Sequence, residues 1–282
     1  MIDLIIDAFW DTCTLVPYLF LTYLLLEYIE HRTLKYSLKA VANKKMGTPI
    51  LGAFLGMVPQ CGFSVVGANL YATGLITLGT LIAIFLSTSD EMVPILLSEG
   101  APVSLIVGLL VLKGGYAAIC GIFLDIFLKK TSLGRQPLDI EAFCHRTHCH
   151  CHTKKSIVWA AGWHTFEISC FLFGCAFILQ LIFAYIFPDI TLSKLQNFPI
   201  FSVFTTAAIG LIPSCYPSVL LTKLFLAQSI GLGALIAGTL CNAGMGMLVL
   251  YKTLANRKNV FEVGGIMYGL SVCLGLLLTY VF

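Results

Sequence analysis

Residues 79–92 read GTLIAIFLSTSDEM, and residues 233–246 read GALIAGTLCNAGMG. Each stretch starts as an apolar run and ends in small, polar or sulfur-containing side chains. The similarity extends outward, because residues 52–92 align with residues 206–246 without a gap at an offset of 154, with 14 identities in 41 positions. Proline, cysteine, glycine and serine recur along with the aliphatic residues, which chance similarity between apolar segments does not explain. We therefore interpret the chain as two repeated halves.

The composition places both halves in a membrane. Of the 282 residues, 58% are hydrophobic and 11% are charged, whereas soluble domains carry about 25% charged residues. An apolar run of about 20 residues or more can cross roughly 30 Å of hydrocarbon, where the backbone must be helical. We predict four such spans, at roughly residues 2–28, 102–128, 157–187 and 260–282. We predict an all-α polytopic membrane protein with a first transmembrane repeat at 1–130, a loop at 131–155 and a second repeat at 156–282. The net charge of +3 gives no support to a nucleic-acid partner.

The basic residues set the predicted orientation. Fourteen of the 17 lysines and arginines lie in three polar connections, at residues 29–45, 129–155 and 252–258. The positive-inside rule places these connections in the cytoplasm, and the N-terminus, the loop near Asp189 and the C-terminus outside the cell membrane. The two halves would then run in opposite directions, as the inverted repeats of many secondary transporters do.

Each half is interrupted twice. The first interruption is residues 59–62 (PQCG), matched by residues 213–217 (PSCYP), and each would form either a re-entrant hairpin or a kink in an ordinary helix. The second is residues 87–94 (STSDEMVP), matched by residues 241–246 (CNAGMG), and each would break a span near the bilayer midplane. The predicted fold is two inverted-topology repeats, each with a broken re-entrant hairpin and a broken span.

The second interruption carries the strongest chemical signal. Asp90 and Glu91 are adjacent carboxylates in an apolar segment, where each charge costs about 2.5–3.5 kcal/mol on insertion scales. They would either bind a divalent cation, together with the amide of Asn242, or cap a helix at the outer interface. The metal ligands predicted here are Asp90, Glu91 and Asn242. The predicted substrate-binding residues are Gln60, Cys61, Ser87, Thr88, Asp90, Glu91, Ser214, Cys215, Cys241, Asn242 and Met245.

Cysteines occupy matched positions in the first interruption. Cys61 aligns with Cys215, and Cys241 lies in the second interruption. Thiolates at these positions would suit a soft metal or trivalent arsenic. The alternative is that they pack as small hydrophobic side chains, as most buried cysteines do.

Other ionisable residues lie inside the predicted spans. Chains of Asp, Glu and His relay protons in pumps and transporters, and buried charges of both signs also form structural ion pairs. Both interpretations stay open for this chain. The predicted proton-coupling residues are Asp11, Lys113, His164, Glu167 and Lys223.

The predicted cytoplasmic loop contains the sequence CHRTHCHCH at residues 144–152. Its thiols and imidazoles favour metal binding, but they lie too close together for a zinc finger. We interpret the loop as a flexible metal collector or sensor, with a solvated linker as the alternative. Its predicted metal ligands are Cys144, His145, His148, Cys149, His150, Cys151 and His152.

Four features of the sequence together resemble a family of ten-span heavy-metal exporters, whose members are labelled arsenic efflux proteins or manganese transporters. They are PQCGFS at 59–64, STSDEM at 87–92, EYIEH at 27–31 and the Cys/His-rich loop. The resemblance covers essentially the whole chain and implies export of a metal or metalloid. The two labels leave the ion open.

We therefore predict a secondary active transporter that exports a divalent transition-metal ion, manganese first, by alternating access with proton coupling. The alternatives are an arsenite or organoarsenical efflux permease that uses Cys61 and Cys215, and a membrane metal sensor that acts through the Cys/His loop. The chain lacks the Walker, His-Glu-x-x-His and Gly-x-Ser-x-Gly motifs, so we do not expect an enzyme. The lipid bilayer and the transported metal are the expected partners, no tightly bound cofactor is expected, and a homo-oligomer is left open.

Overall fold

A computed structural model of the protein describes residues 48–58, 62–89, 91–128, 198–254 and 257–281. It also describes scattered groups of one to three helical residues between 10 and 24 and between 162 and 178. Within these ranges every regular element is an α-helix. The first five helices are α1 (Thr48–Gly56), α2 (Gly62–Ala72), α3 (Leu78–Ser87), α4 (Met92–Ser98) and α5 (Val103–Phe127). The next five are α6 (Pro199–Gly210), α7 (Tyr216–Leu226), α8 (Leu232–Cys241), α9 (Gly246–Thr253) and α10 (Arg257–Val281).

The ten helices form two sets of five whose boundaries recur at the offset of 154. The pairs α2 and α7, α3 and α8, and α5 and α10 match at both ends, α1 and α6 end at matched glycines, and α4 and α9 begin at matched positions. Local chemistry sets several of these boundaries. The Thr77 side chain accepts a hydrogen bond from the Thr80 amide at the start of α3, and Pro199 opens α6. The repeat seen in the sequence is thus a repeat of helices.

Helices α3 and α8 form the centre of the protein. Every residue of α3 is buried, as are the nine residues Gly233–Cys241 of α8, as expected for helices that are apolar on all sides. In each half the central helix packs between two others, α3 between α1 and α5, and α8 between α6 and α10. Glycines permit these close approaches, because a Cβ on Gly79 would overlap the carbonyl oxygen of Gly121, and one on Gly233 that of Gly275.

The two halves interlock. Helix α9 packs against α2, α4 packs against α7, and α3 contacts α8. The approach of α9 to α2 is so close that a Cβ on Gly246 would lie 2.8 Å from the carbonyl oxygen of Ser64. The Tyr116 hydroxyl of α5 donates a hydrogen bond to the carbonyl oxygen of Leu270 of α10, at 2.8 Å. One hydrophobic core therefore runs through both halves.

Four segments in the described ranges are long and apolar enough to cross a membrane: Leu78–Ser98, Val103–Phe127, Leu232–Thr253 and Arg257–Val281. Two of them correspond to α5 and α10, in agreement with the predicted spans at Pro102–Leu128 and Val260–Phe282. The other two each join two helices across an interruption. Large apolar side chains on α5 and α10 point outward, among them Ile119 and Phe261. These features fit a multi-pass membrane protein. Most of the predicted first span and of the predicted span at 157–187 lies outside the described residues.

Candidate functional site

The first interruption in each half lies where the sequence places it. Helix α1 ends at Gly56 and α2 begins at Gly62, while α6 ends at Gly210 and α7 begins at Tyr216. Pro59, Gln60 and Cys61 lie outside the described residues. In the second half Ser214 and Cys215 are both buried, and Cys215 precedes the first turn of α7.

The second interruption of the first half begins at the end of α3. Thr88 adopts an extended conformation with φ −53° and ψ 127°, which ends the helix. The hydroxyls of Ser87 and Thr88 donate to the carbonyl oxygen of Ile84, at 3.0 and 2.7 Å. Glu91 is half-buried and precedes the first turn of α4, and its side chain does not cap that helix. Asp90 lies outside the described residues.

The second interruption of the second half is held by an amide. Asn242 has an extended backbone, with φ −84° and ψ 103°, and its side-chain nitrogen donates to the hydroxyl of Ser218 at 2.7 Å. Its side-chain oxygen accepts a hydrogen bond from the backbone amide of Gly244 at 2.9 Å, and Gly244 has a positive φ of 53°. Cys241 and Met245 are buried on either side. The side chain of Asn242 therefore bridges this break and ties it to α7.

Lys113 connects the two breaks. It lies on α5, its side chain is fully buried, and its ammonium donates to the carbonyl oxygens of Thr88 at 2.6 Å and Thr239 at 3.1 Å. The first carbonyl lies just beyond the end of α3, and the second belongs to the last turn of α8. The structure thus places the charge of Lys113 between the carboxyl ends of the two central helices.

The other residues predicted for proton coupling lie in different surroundings. Glu167 forms an ion pair with Lys252 near the end of α9, at 3.1 Å, and both side chains are partly exposed. Lys223 is exposed in the last turn of α7. Asp11 and His164 lie outside the described residues. Of the three described residues in this predicted set, Lys113 contacts the helix breaks.

Several buried polar atoms have no hydrogen-bond partner in the part of the chain that the structure describes. They include both polar side-chain atoms of Asn69 on α2, and the hydroxyl of Ser214. Buried polar groups are normally satisfied, so such atoms are available to an ion or to water. Ser214 belongs to the predicted substrate-binding set, whereas Asn69 does not.

Asp125 is a capping residue that was not predicted from the sequence. Its carboxylate accepts hydrogen bonds from the Thr77 hydroxyl at 2.7 Å and from the Gly79 amide at 2.9 Å. It therefore caps the first turn of α3 from the end of α5. In the sequence Asp125 is recognisable only as a single carboxylate at the end of an apolar run. Its hydrogen-bond partners, Thr77 and Gly79, lie more than 40 residues away in sequence, so its capping role could not be predicted.

No group of three His, Cys, Asp or Glu side chains that could hold a metal occurs among the described residues. The Cys/His loop at 144–152 lies outside them. In the described part of the chain, most polar groups at the breaks are neutral oxygen atoms: backbone carbonyls, hydroxyls and the amide of Asn242.

Residues 1–193 match a family model described as "Putative, 10TM heavy-metal exporter". The matched range includes the first half, the Cys/His loop and the beginning of the second half, while α6–α10 lie beyond it. No curated protein and no solved structure matches the chain.

Proposed function

The chain belongs to the 10TM heavy-metal exporter family, and we propose from that premise that it exports a divalent transition-metal ion, with Mn²⁺ as the favoured substrate. Transport proceeds by alternating access of one site to the two sides of the membrane. Inward flow of protons drives it. No enzymatic step is part of this proposal.

The observation that carries this proposal is the pair of breaks at matched positions in two buried, span-length segments. In a membrane, irregular backbone is tolerated where it is surrounded by protein or lines a cavity. Discontinuous helices of secondary transporters use such breaks to bind substrates and coupling ions. Here Thr88 and Asn242 end the two central helices with extended backbone, and both are buried.

The donors at these breaks favour a metal that accepts oxygen ligands. Carboxylate, carbonyl and water oxygens suit Mn²⁺, whereas thiolates select softer ions. Asp90 and Glu91 supply the negative charge in this proposal. Asn242 and backbone carbonyls supply neutral oxygens, and the sulfur of Met245 lies in the same break.

The direction of transport in this proposal rests on the family, which is described as one of exporters. The basic connections and the Cys/His loop face the cytoplasm, where the loop collects metal, and both termini lie outside the cell membrane. Protons pass through a set of ionisable residues that includes Lys113 and Glu167, which the structure describes, and Asp11 and His164, which lie outside the described residues. Lys223 completes the set.

Purified protein in proteoliposomes tests the proposal directly. Flux is measured with a panel of Mn²⁺, Co²⁺, Zn²⁺ and arsenite, with and without an imposed proton gradient. We expect the Mn²⁺ flux of the unmodified protein to depend on the proton gradient. Asp90→Ala and Glu91→Ala should each reduce this flux at least tenfold, which corresponds to about 1.4 kcal/mol in the activation free energy. The matched control is Glu99→Ala, because Glu99 is an exposed carboxylate at the end of α4. Unchanged Mn²⁺ flux in both carboxylate variants would contradict the proposal.

Arsenite efflux is the second candidate, because Cys215 and Cys241 are both buried at the interruptions of the second half. It predicts that Cys61→Ser and Cys215→Ser abolish arsenite flux while Asp90→Ala does not. Cys170→Ser is the control, since Cys170 is exposed. Deleting residues 144–152 separates both transport functions from a sensor, because a transporter should keep most of its flux without the loop.

A further inference from the structure

Lys113 occupies the kind of position at which transporters coordinate cations. The last four carbonyls of an α-helix have no partner within the helix, and its carboxyl end carries a partial negative charge. Thr239 supplies one of these carbonyls in α8, and Thr88 supplies the carbonyl just beyond α3. The ammonium of Lys113 lies 2.6 and 3.1 Å from the two oxygens. Unwound carbonyls and half-helix carboxyl ends are also where such proteins coordinate ions.

The two halves differ at this position. The offset of 154 aligns Lys113 with Met267, and both side chains are fully buried in their helices. A buried ammonium is strongly disfavoured unless oxygens compensate its charge. Lys113 therefore bonds to one carbonyl at each of the two breaks, while the equivalent position of the second half carries no charge.

We propose that Lys113 is a tethered cation that occupies the metal site between the two breaks and that the transported metal displaces it. The inference rests on the proposed function and adds to it a residue that competes with the substrate. A divalent ion and an ammonium cannot share the oxygens of Thr88 and Thr239, because like charges repel strongly at low dielectric. When no metal is bound, the lysine keeps these carbonyls compensated. The metal-free transporter can then switch access from one side of the membrane to the other while the carbonyls of Thr88 and Thr239 stay hydrogen-bonded.

Replacing the charge should therefore separate binding from turnover. Lys113→Met copies the side chain of the second half, and Lys113→Gln retains a neutral donor. Both variants should bind Mn²⁺ at least tenfold more tightly than the original protein, a change of about 1.4 kcal/mol. Net Mn²⁺ export should fall at least tenfold, because reorientation of the empty carrier is slowed. Exchange of labelled Mn²⁺ for unlabelled Mn²⁺ should persist, since exchange needs no empty reorientation.

Two controls identify the role of the charge. Lys113→Arg retains the positive charge, so its Mn²⁺ affinity should stay within about threefold of the original value. Lys258→Met removes an exposed lysine at the start of α10 and should change neither affinity nor flux. A neutral Lys113 variant that is unstable alone but is stabilised by Mn²⁺ also supports the inference, because the metal then replaces the missing ammonium.

Three results would overturn it: neutral variants that fold but bind Mn²⁺ no more tightly, loss of exchange together with net export, or unfolding that Mn²⁺ does not reverse. Failure of the proposed function gives a different result. In that case the unmodified protein itself neither binds nor transports Mn²⁺ in the same liposomes.

Discussion

The two breaks in the central helices have the same place in the repeat and different chemistry. In the first half the break carries Ser87, Thr88 and Glu91, and Lys113 reaches it from α5. In the second half Asn242 closes the break through Ser218 and Gly244. The scaffold is therefore repeated, while the functional groups are not. This difference indicates that the two copies of a duplicated scaffold can diverge in chemistry. Here one break is contacted by charged side chains, and the other is held by neutral hydrogen-bonding groups.

The largest expected effect tests whether the scaffold is equivalent in both halves. Gly121→Ala in α5 would place a Cβ 2.6 Å from the carbonyl oxygen of Gly79, and Gly275→Ala in α10 one 2.7 Å from the Cβ of Ala237. We expect each to destabilise the protein by about 3 kcal/mol, because backbone and packed side chains must move. The measurement is thermal unfolding in detergent.

The same two helices provide matched controls. Gly115 and Gly269 are also related by the offset, and a Cβ at either position meets nothing within 4 Å. Alanine at these positions should therefore leave stability unchanged or raise it slightly, since alanine favours a helix. Strong destabilisation at Gly121 without any at Gly275 would show that the two halves pack differently.

The next effect tests the difference between the breaks. Asn242→Ala removes both side-chain hydrogen bonds of the second break and leaves the buried Ser218 hydroxyl without this donor. We expect a loss of about 2 kcal/mol. Thr88→Ala removes one bond to the carbonyl of its own helix, with an expected loss of about 0.5–1 kcal/mol. If Asn242→Ala and Thr88→Ala lose equal stability in the same unfolding assay, side chains do not hold the second break more strongly than the first.

The smallest effect concerns the amino-terminal ends of the two central helices. Asp125→Ala leaves the Thr77 hydroxyl and the Gly79 amide at the start of α3 without the carboxylate, so we expect a loss of about 1 kcal/mol. The matched residue of the second half is Thr279, whose hydroxyl bonds to the carbonyl of Gly275 in its own helix. Thr279→Ala should cost less than about 0.5 kcal/mol. A larger loss at Thr279 than at Asp125 would reverse the comparison.

The repeat and the interruptions were predictable because they depend on local chemistry. Proline beyond the first turn disrupts a helix and glycine weakens it, and apolar runs longer than about 20 residues indicate spans. Each of the predicted breaks around residues 59–62, 213–217, 87–94 and 241–246 contains the start or the end of a helix of the structure. The predicted role of Asp90 and the inverted orientation of the halves stay predictions.

Contacts between distant residues were not predictable in the same way. The sequence suggested Lys113 for proton coupling only because it is a charge in an apolar run. Its two partners are backbone carbonyl oxygens that belong to different halves of the chain, and backbone atoms have no sequence signature. Asp125 was missed for the same reason.

By itself the sequence determined that the protein is helical, membrane-embedded and repeated, because hydrophobicity and helix-breaking residues act over short distances. Only the tertiary structure decided which groups meet at the breaks. That outcome depends on how α5 packs beside α3 and reaches α8, which is set by glycine contacts such as that between Gly79 and Gly121. Packing, rather than any motif, brings the charge of Lys113 to the ends of both central helices.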